Sequence, residues 1–275
     1  MNIECSDYEI KNCFCCWYDL LGYGKPFVDS HWNLNDERCR RNYERIKNVR
    51  TGFTSSWSAK PVGTRLTFND GFASTIDFDL ASADSYQDAL IFLEGVINDF
   101  ESINYYDKRI GFPGIRGIIT FGQRFSYDSS NSSFDISSKR TIAYFPSEFQ
   151  MNTAFSKAFI MEESGSRANL SGNYLFIDVE VYNTLVEAAK ALNYPIPQIE
   201  AKDNRTLLKV FDKSGWFADL VIDSSPYLYG KSEKYNNRGI ETKLYKYVSI
   251  HSRIDEIASE ATYCQSIRYS RIDEE

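Results

Sequence analysis

Two aspartates, Asp19 and Asp70, stand at positions where the sequence could support chemistry. Asp19 ends a run of six apolar or aromatic residues, 13–18, and Gly22 and Gly24 follow it almost at once. Asp70 lies in an Asn-Asp-Gly turn between two strand-like runs. Carboxylate oxygens are ligands for hard cations such as Mg²⁺, and N–H groups exposed in a glycine turn bind phosphate oxygens. The pair therefore indicates a site for a divalent cation and a phosphate. The alternative is that both aspartates are polar ends of ordinary turns.

Composition narrows the possible functions. The chain has 275 residues, 43% of them hydrophobic and 25% charged, which is ordinary for a globular protein with one large core. A net charge of −7 argues against a general nucleic-acid-binding surface. No apolar run is long enough to cross a membrane, and the acidic start lacks the basic residues of a secretory signal. We therefore predict a cytoplasmic protein without nucleic-acid or membrane partners.

The cysteines and histidines disfavour zinc and thiol chemistry. Cys13, Cys15 and Cys16 crowd one strand, and the spacing of the six cysteines contains no zinc knuckle. Only two histidines are present, and neither has a recognisable partner motif. We interpret the cysteines as buried hydrophobic residues of a reducing compartment.

Helices and strands must position the two aspartates. Residues 13–18 predict a strand buried on both faces. Asn35 can cap a helix with an apolar stripe from Cys39 to Phe53, and its arginines are expected to face solvent: Arg38, Arg40, Arg41 and Arg45. The turn at Asp70 joins strands at 64–68 and 72–78 into a hairpin. These elements predict Asp19 at the end of a buried strand and Asp70 at the tip of a hairpin.

The next part of the chain alternates between helices and strands. Further elements are a helix at 85–106, strands at 115–122 and 141–145, a surface loop at 127–139, a helix behind a capping box at Ser147 and Gln150, a strand at 175–181 and a helix at 186–192. This order predicts an α+β fold, a ferredoxin-like antiparallel sheet with helices on one face.

The character of the sequence changes after Pro195. A hairpin is expected at 207–222, a strand at 243–250 and a helix at 254–263. We predict a first domain over residues 1–194 and a C-terminal α/β extension over 195–275 that packs on it. A separate second domain is the alternative.

The motifs in this order resemble the class III nucleotidyl cyclases. Residues 19–23, Asp-Leu-Leu-Gly-Tyr, are similar to the family's Asp-Ile-x-Gly-Phe/Tyr signature, and the hairpin aspartate corresponds to Asp70. Residues 116–122 resemble the family's Arg/Gly-Ile-x-x-Gly strand, and residues 151–154 its Val-Asn-x-Ala helix start. The resemblance covers roughly residues 10–185. It implies a class III cyclase fold and a metal-dependent nucleotidyl cyclase.

In their detailed sequence, these motifs most resemble the pyrimidine cyclases of bacterial Pycsar anti-phage systems. The similar segments are residues 68–71, 116–118 and 154–159, together with Glu162. This resemblance implies conversion of UTP or CTP to the 3′,5′-cyclic monophosphate and pyrophosphate. It also implies that a separate effector, activated by the cyclic nucleotide, reads the product as an antiviral signal.

Site residues follow from the same resemblance. Two divalent ions, Mg²⁺ or Mn²⁺, would be held by Asp19, Asp70 and the carbonyl of Leu20. Two such ions can clamp the attacking and leaving oxygens of a phosphoryl transfer. The other implied residues are Leu20, Gly22, Tyr23, Arg65 and Leu66 for the nucleotide, and Asn152, Lys157 and Arg116 for catalysis.

Two departures from the family pattern bear on activity. Leu66 replaces a lysine of purine-specific members, which favours a pyrimidine substrate. Ser156 replaces an arginine four residues after Asn152, which leaves Lys157, Arg116 or Arg65 as the transition-state cation. The alternative function is a catalytically silent cyclase-fold protein that binds nucleotides or partners.

A homodimer with shared active sites is also expected. If the helices before Pro195 cover only one face of the sheet, the other face is apolar and available for a second copy. In the cyclase family, this pairing brings the asparagine helix of one chain over the aspartates of the other. The competing explanation is that strands after Pro195 cover that face within one chain.

Overall fold

We describe a computed structural model of the chain over residues 8–54, 62–127, 133–135, 142–144, 146–202, 205–223 and 234–252. The helix expected at 254–263 lies outside these residues, as does most of the loop expected at 127–139.

The described chain is an α+β fold built on one large sheet. The strands are β1 (Tyr8–Leu20), β2 (Thr64–Phe68), β3 (Gly71–Phe78), β4 (Ile115–Tyr127), β5 (Ser133–Asp135), β6 (Ile142–Tyr144), β7 (Leu175–Asp178), β8 (Gln198–Lys202), β9 (Arg205–Asp212), β10 (Gly215–Asp223), β11 (Tyr235–Asn237), β12 (Ile240–Thr242) and β13 (Leu244–Ser252). The helices are α1 (Lys25–Asp29), α2 (Glu37–Thr54), α3 (Ala83–Arg109), α4 (Thr153–Ser164) and α5 (Val179–Ala191).

Among the described residues, nine strands form the main sheet in the order β2-β3-β1-β4-β7-β13-β10-β9-β8. All neighbours are antiparallel except β4 and β7, so the sheet is mixed. The strands after Pro195 join this same sheet through the pairing of β13 with β7. The α+β fold class is therefore confirmed, although the sheet is not purely antiparallel.

The central strand β1 is buried on both faces, as predicted. Residues 13–18 are each at most 6% exposed, and side chains on alternate positions point to opposite faces. Phe14, Cys16 and Tyr18 pack with α2, α3 and α5 on one face. The thiols of Cys13, Cys15 and Cys16 are free, and burial raises the pKa of each.

Helix α4 covers the second face of β1, which the sequence interpretation left bare. Trp17 packs with Ala158 and Met161 of α4, and Cys13 and Cys15 pack with Ala154. A Cβ on Gly122 would lie 2.7 Å from the backbone nitrogen of Ala154, so the glycine permits this close approach. Helices were expected on one face alone because right-handed crossovers between strands of the same sheet return to the same face. The chain instead reaches α4 through the separate β5–β6 sheet.

Several local predictions were wrong. Asp36 rather than Asn35 caps α2, because its side chain accepts a hydrogen bond from the Arg38 N–H at 2.9 Å. Residues 147–150 form a turn rather than a capping box, because Asn152 caps α4 and accepts a hydrogen bond from the Phe155 N–H. The strand expected at 175–181 ends at Asp178, whose side chain caps α5. Residues 133–135, expected within a loop, form β5.

Candidate functional site

The two aspartates lie at the same end of the sheet. Asp19 pairs with Gly71 of β3 on one side and with Arg116 of β4 on the other. The next residue, Leu20, donates its N–H to the Asp70 carbonyl at 3.0 Å. The hairpin tip is thereby joined to the end of β1, and the structure brings Asp19, Leu20 and Asp70 together.

Negative charge accumulates at Asp19. Burial, followed by the nearby charges of Glu162 and Asp70, raises the pKa of Asp19 from 3.8 to about 7, although Arg116 and Arg45 oppose the rise. A divalent cation would relieve this repulsion, and carboxylate oxygens are the ligands that Mg²⁺ and Mn²⁺ prefer. The residues at this position therefore fit such a cation.

The segment after Asp19 exposes two N–H groups. Gly22 has a φ of +70°, which a glycine adopts without strain, and the Tyr23 N–H donates to the Leu20 carbonyl at 3.2 Å. Within the described residues, the N–H groups of Gly22 and Gly24 donate no hydrogen bond, and both residues are exposed. Exposed N–H groups of this kind are available to phosphate oxygens.

The start of β3 admits no side chain. A Cβ on Gly71 would lie 1.9 Å from the Trp17 ring, which lies two positions before Asp19 on the same face of β1. Trp17 therefore fills the space between the end of β1 and the hairpin. Gly71 is therefore needed for packing against Trp17 as well as for the turn.

Tyr23 and Leu66 occupy different surroundings. The Tyr23 hydroxyl lies 3.2 Å from the Asn69 side-chain oxygen, beside the hairpin tip. Burial and the charge of Asp70 raise the pKa of Tyr23. Leu66 is partly buried and packs against the apolar cluster around Trp17. Tyr23 thus lies near Asp70, whereas Leu66 contributes to packing on the face that carries Asp19.

Asn152, the N-cap of α4, lies against Cys13, six residues before Asp19 on β1, and is only 1% exposed. Its side-chain nitrogen donates to the Glu148 carbonyl at 2.9 Å, and its oxygen accepts from the Phe155 N–H at 2.8 Å. Its backbone bridges Arg124 of β4, eight positions beyond the Arg116 that pairs with Asp19. Within this chain, Asn152 is not brought to Asp19.

The three candidate cations each have a carboxylate partner in the chain. Lys157 lies 2.6 Å from Asp178, and Arg65 lies 2.9 Å from Asp99. Arg116 donates to Glu162 through Nε at 2.9 Å and through Nη2 at 2.5 Å. Only Arg116 is beside Asp19, and its positive charge is largely compensated by Glu162.

Sequence reasoning missed two groups near the aspartates. Glu162 was noted only as part of a motif, yet its place one turn after Ala158 on an otherwise apolar helix face signals a paired charge. Arg45 was expected to face solvent but is fully buried, because it forms an ion pair with Asp107 of α3. One signal was available, because Arg45 lies four residues before Val49 and eight before Phe53, on the side of the helix that these apolar residues bury.

Across the described residues, no three or more histidine, cysteine, aspartate or glutamate side chains form a metal-binding cluster. A cation at Asp19 and Asp70 would therefore also need the Leu20 carbonyl and oxygens from a ligand. No helix in the described ranges has the length and apolar character required to cross a membrane.

Comparison with known proteins gave structural similarities only. No protein-family model and no curated protein matched the sequence. The chain is similar to the adenylyl cyclase CyaB from P. aeruginosa, with a TM-score of 0.46 and 13% identity over 90% of this chain and 98% of that one. It is also similar to the guanylyl cyclase Cya2, with a TM-score of 0.44 and 10% identity over 90% of this chain and 96% of that one.

A third similar structure is the catalytic core of a rhodopsin-guanylyl cyclase with converted specificity, solved with ATPalphaS. Its TM-score is 0.44, with 8% identity over 90% of this chain and all of that one.

Proposed function

We propose that this protein is a metal-dependent nucleotidyl cyclase that converts a nucleoside triphosphate to its 3′,5′-cyclic monophosphate and pyrophosphate. The observation that carries the proposal is the meeting of Asp19 and Asp70, joined by the hydrogen bond from the Leu20 N–H to the Asp70 carbonyl. The exposed N–H groups of Gly22 and Gly24 lie directly after this junction. Carboxylates beside phosphate-binding N–H groups suit a metal-bound triphosphate.

Different residues of the chain would bind the cations and the phosphates. Asp19, Asp70 and the Leu20 carbonyl hold the cations, while Gly22 and Gly24 orient the phosphates. Two bound divalent ions would stabilise charge on the attacking and leaving oxygens. Most of the catalysis of phosphoryl transfer comes from such positioning and electrostatic stabilisation. No histidine is required as a general base.

The substrate that we propose is UTP or CTP. Leu66 supports this, because it is packed in an apolar cluster where purine-specific relatives in the resembled family carry a lysine. The resemblance to the Pycsar enzymes further supports a cytoplasmic anti-phage signal read by a separate effector. Tyr23 and Arg65 are proposed nucleotide contacts. Asn152, Lys157 and Arg116 are proposed catalytic residues, for which the chain would first have to release Lys157 and Arg116 from their partners.

We also propose a homodimer with shared sites, on the family resemblance alone. Helix α4 covers the second face of the sheet at β1, so this face is not free there for a second copy. An interface would instead involve the exposed surface around the aspartates, where Phe68 at the hairpin tip is 73% exposed.

One observation favours the silent alternative. Lys157, Arg65 and Arg116 are each paired with a carboxylate, and Asn152 is buried. A protein that keeps these contacts would bind a metal–nucleotide complex without turning it over. Silent binding is therefore the second candidate function.

The test is to incubate the purified protein with Mg²⁺ or Mn²⁺ and each of the four nucleoside triphosphates, and to detect products by mass spectrometry. Asp70→Asn is the matched variant, because it keeps the turn but removes the negative charge. The proposal expects a cyclic monophosphate from the wild type and none from the variant. Full turnover by Asp70→Asn would refute the metal assignment. Metal-dependent nucleotide binding without any product would support the silent alternative.

A further inference from the structure

Arg45 is a fully buried arginine that joins four parts of the fold. It extends from α2 and donates Nε to Asp107 of α3 at 2.9 Å and Nη2 to the same carboxylate at 2.5 Å. Its guanidinium also lies over the Phe112 ring, 4.7 Å from the centroid. Arginine presents its donors in a rigid planar fork, so a carboxylate on one edge fixes the direction of the others.

The remaining donors of Arg45 bind the backbone beside the aspartates. Nη1 donates to the Leu21 carbonyl at 3.1 Å, and Nη2 donates to the Gly114 carbonyl at 3.0 Å. The Leu21 N–H donates to that same Gly114 carbonyl at 3.0 Å. Arg45 therefore fixes the end of β1 and the start of β4 relative to each other, two residues after Asp19.

A second donor of α2 holds the same segment. Asn42 lies one turn before Arg45, is 1% exposed and donates its side-chain nitrogen to the Tyr23 carbonyl at 2.9 Å. Residues three apart lie on one side of a helix. With the Leu21 and Tyr23 carbonyls both turned towards α2, the intervening Gly22 is held at the surface.

We propose that Arg45, oriented by Asp107 and assisted by Asn42, is a positioning residue for the Leu20–Gly24 segment of the metal–phosphate site. The inference rests on the proposed function for its consequence, because it assumes that cations bind at Asp19 and Asp70. None of the three side chains would touch the ligand. They act through the Leu21, Tyr23 and Gly114 carbonyls.

The test measures Mn²⁺ affinity by calorimetry and amide hydrogen exchange of residues 21–23 in the full chain. Arg45→Lys keeps the charge beside Asp107 but cannot reproduce the fork to two carbonyls. Loss of residues that orient metal ligands typically weakens metal binding about 10- to 100-fold. We expect Arg45→Lys to weaken Mn²⁺ binding at least about tenfold. Within residues 21–23, it should accelerate exchange of the Leu21 and Tyr23 amides, which donate to the Gly114 and Leu20 carbonyls.

Arg124→Lys is the matched control. Arg124 also forms a two-point pair with a carboxylate, Asp77, at 2.6 and 2.8 Å, but does so further along β4 from Arg116. This control should change neither the Mn²⁺ affinity nor the exchange of residues 21–23. Because a purely structural role would lower stability without changing metal affinity in the folded protein, the comparison separates the two roles.

A second variant covers the case in which Arg45→Lys does not fold. The Asn42 side-chain oxygen has no hydrogen-bond partner among the described residues, so Asn42→Ala removes only the bond to the Tyr23 carbonyl. It should give a smaller change in the same direction. Unchanged Mn²⁺ affinity or unchanged exchange in a folded variant would overturn the inference.

Failure of the proposed function is recognised separately. If Asp19→Asn binds Mn²⁺ as tightly as the wild type, the metal assignment is wrong. Exchange at residues 21–23 would then still show whether Arg45 holds the segment, but its role at a metal site would be overturned with the assignment.

Discussion

Replacing Asp19 by asparagine should stabilise the metal-free protein while abolishing metal binding. The rise of the Asp19 pKa from 3.8 to about 7 means that the folded chain resists ionisation of this carboxyl. Such a group contributes its full stability below pH 3.8 and loses it progressively as the pH rises to about 7. Asparagine cannot ionise, so the variant avoids this loss.

The magnitude follows from the pKa difference. At about 1.4 kcal/mol per pH unit, the full rise corresponds to about 4 kcal/mol. Asp19 is partly exposed, and solvent screens part of its repulsion from Glu162 and Asp70, so we expect a gain of about 2 kcal/mol at pH 8. For a chain of this size, that gain corresponds to an increase in Tm of about 4–8 °C.

The assay is thermal unfolding of wild type and Asp19→Asn at pH 4.5 and pH 8, without divalent cations. The gain should be full at pH 8 and at most about half as large at pH 4.5, because the loss accumulates between the unfolded pKa of 3.8 and the folded pKa of about 7. Mn²⁺ at pH 8 should then raise the Tm of the wild type but not that of the variant.

Asp36→Asn provides a control of opposite sign. Hydrogen bonds from Arg38 hold the pKa of Asp36 below its usual range, so its neutralisation should give no gain at pH 8. The reasoning fails if Asp19→Asn is no more stable than the wild type at pH 8. It also fails if the gain is the same at both pH values.

Three further predictions concern packing, substrate and assembly. Gly71→Ala should lower stability by about 1–3 kcal/mol in denaturant unfolding, because its Cβ would overlap the Trp17 ring; an unchanged midpoint contradicts this packing. A pyrimidine triphosphate should give the faster cyclisation in a four-nucleotide assay, whereas cyclic AMP or cyclic GMP formed at the same rate would exclude the preference. Mixed Asp70→Ala and Asn152→Ala chains should regain activity if sites are shared, and no recovery despite demonstrated subunit exchange would exclude sharing.

The sequence predicted most of the elements that position the aspartates. The uninterrupted apolar run at 13–18 could only be buried on both faces, and the Asn-Asp-Gly turn fixed the hairpin at Asp70. Helix α3 was also predicted to within three residues, because its apolar side chains recur at helical spacing. These patterns depend on residues close together in the sequence, so contacts between distant segments do not alter the structures that they predict.

What failed depended on contacts between distant segments. Arg45 is buried because Asp107, on another helix, neutralises it, and the helix pattern around Arg45 carries no trace of that partner. Likewise, α4 lies on the second face because Gly122 of β4 leaves room for Ala154. Residues 179–181 were expected to continue the strand, although Asp178, its last residue, caps α5 and also accepts a hydrogen bond from Thr242 at 2.6 Å.

The buried thiols of β1 can be used to measure how often the centre of the sheet unfolds. Thiolates react with alkylating reagents, whereas neutral thiols react slowly, and Cys13, Cys15 and Cys16 are held neutral and inaccessible in the folded chain. Alkylation within residues 13–16, followed by mass spectrometry, would therefore proceed only through unfolding of the central strand. Its rate would report the kinetic stability of the sheet without any introduced label.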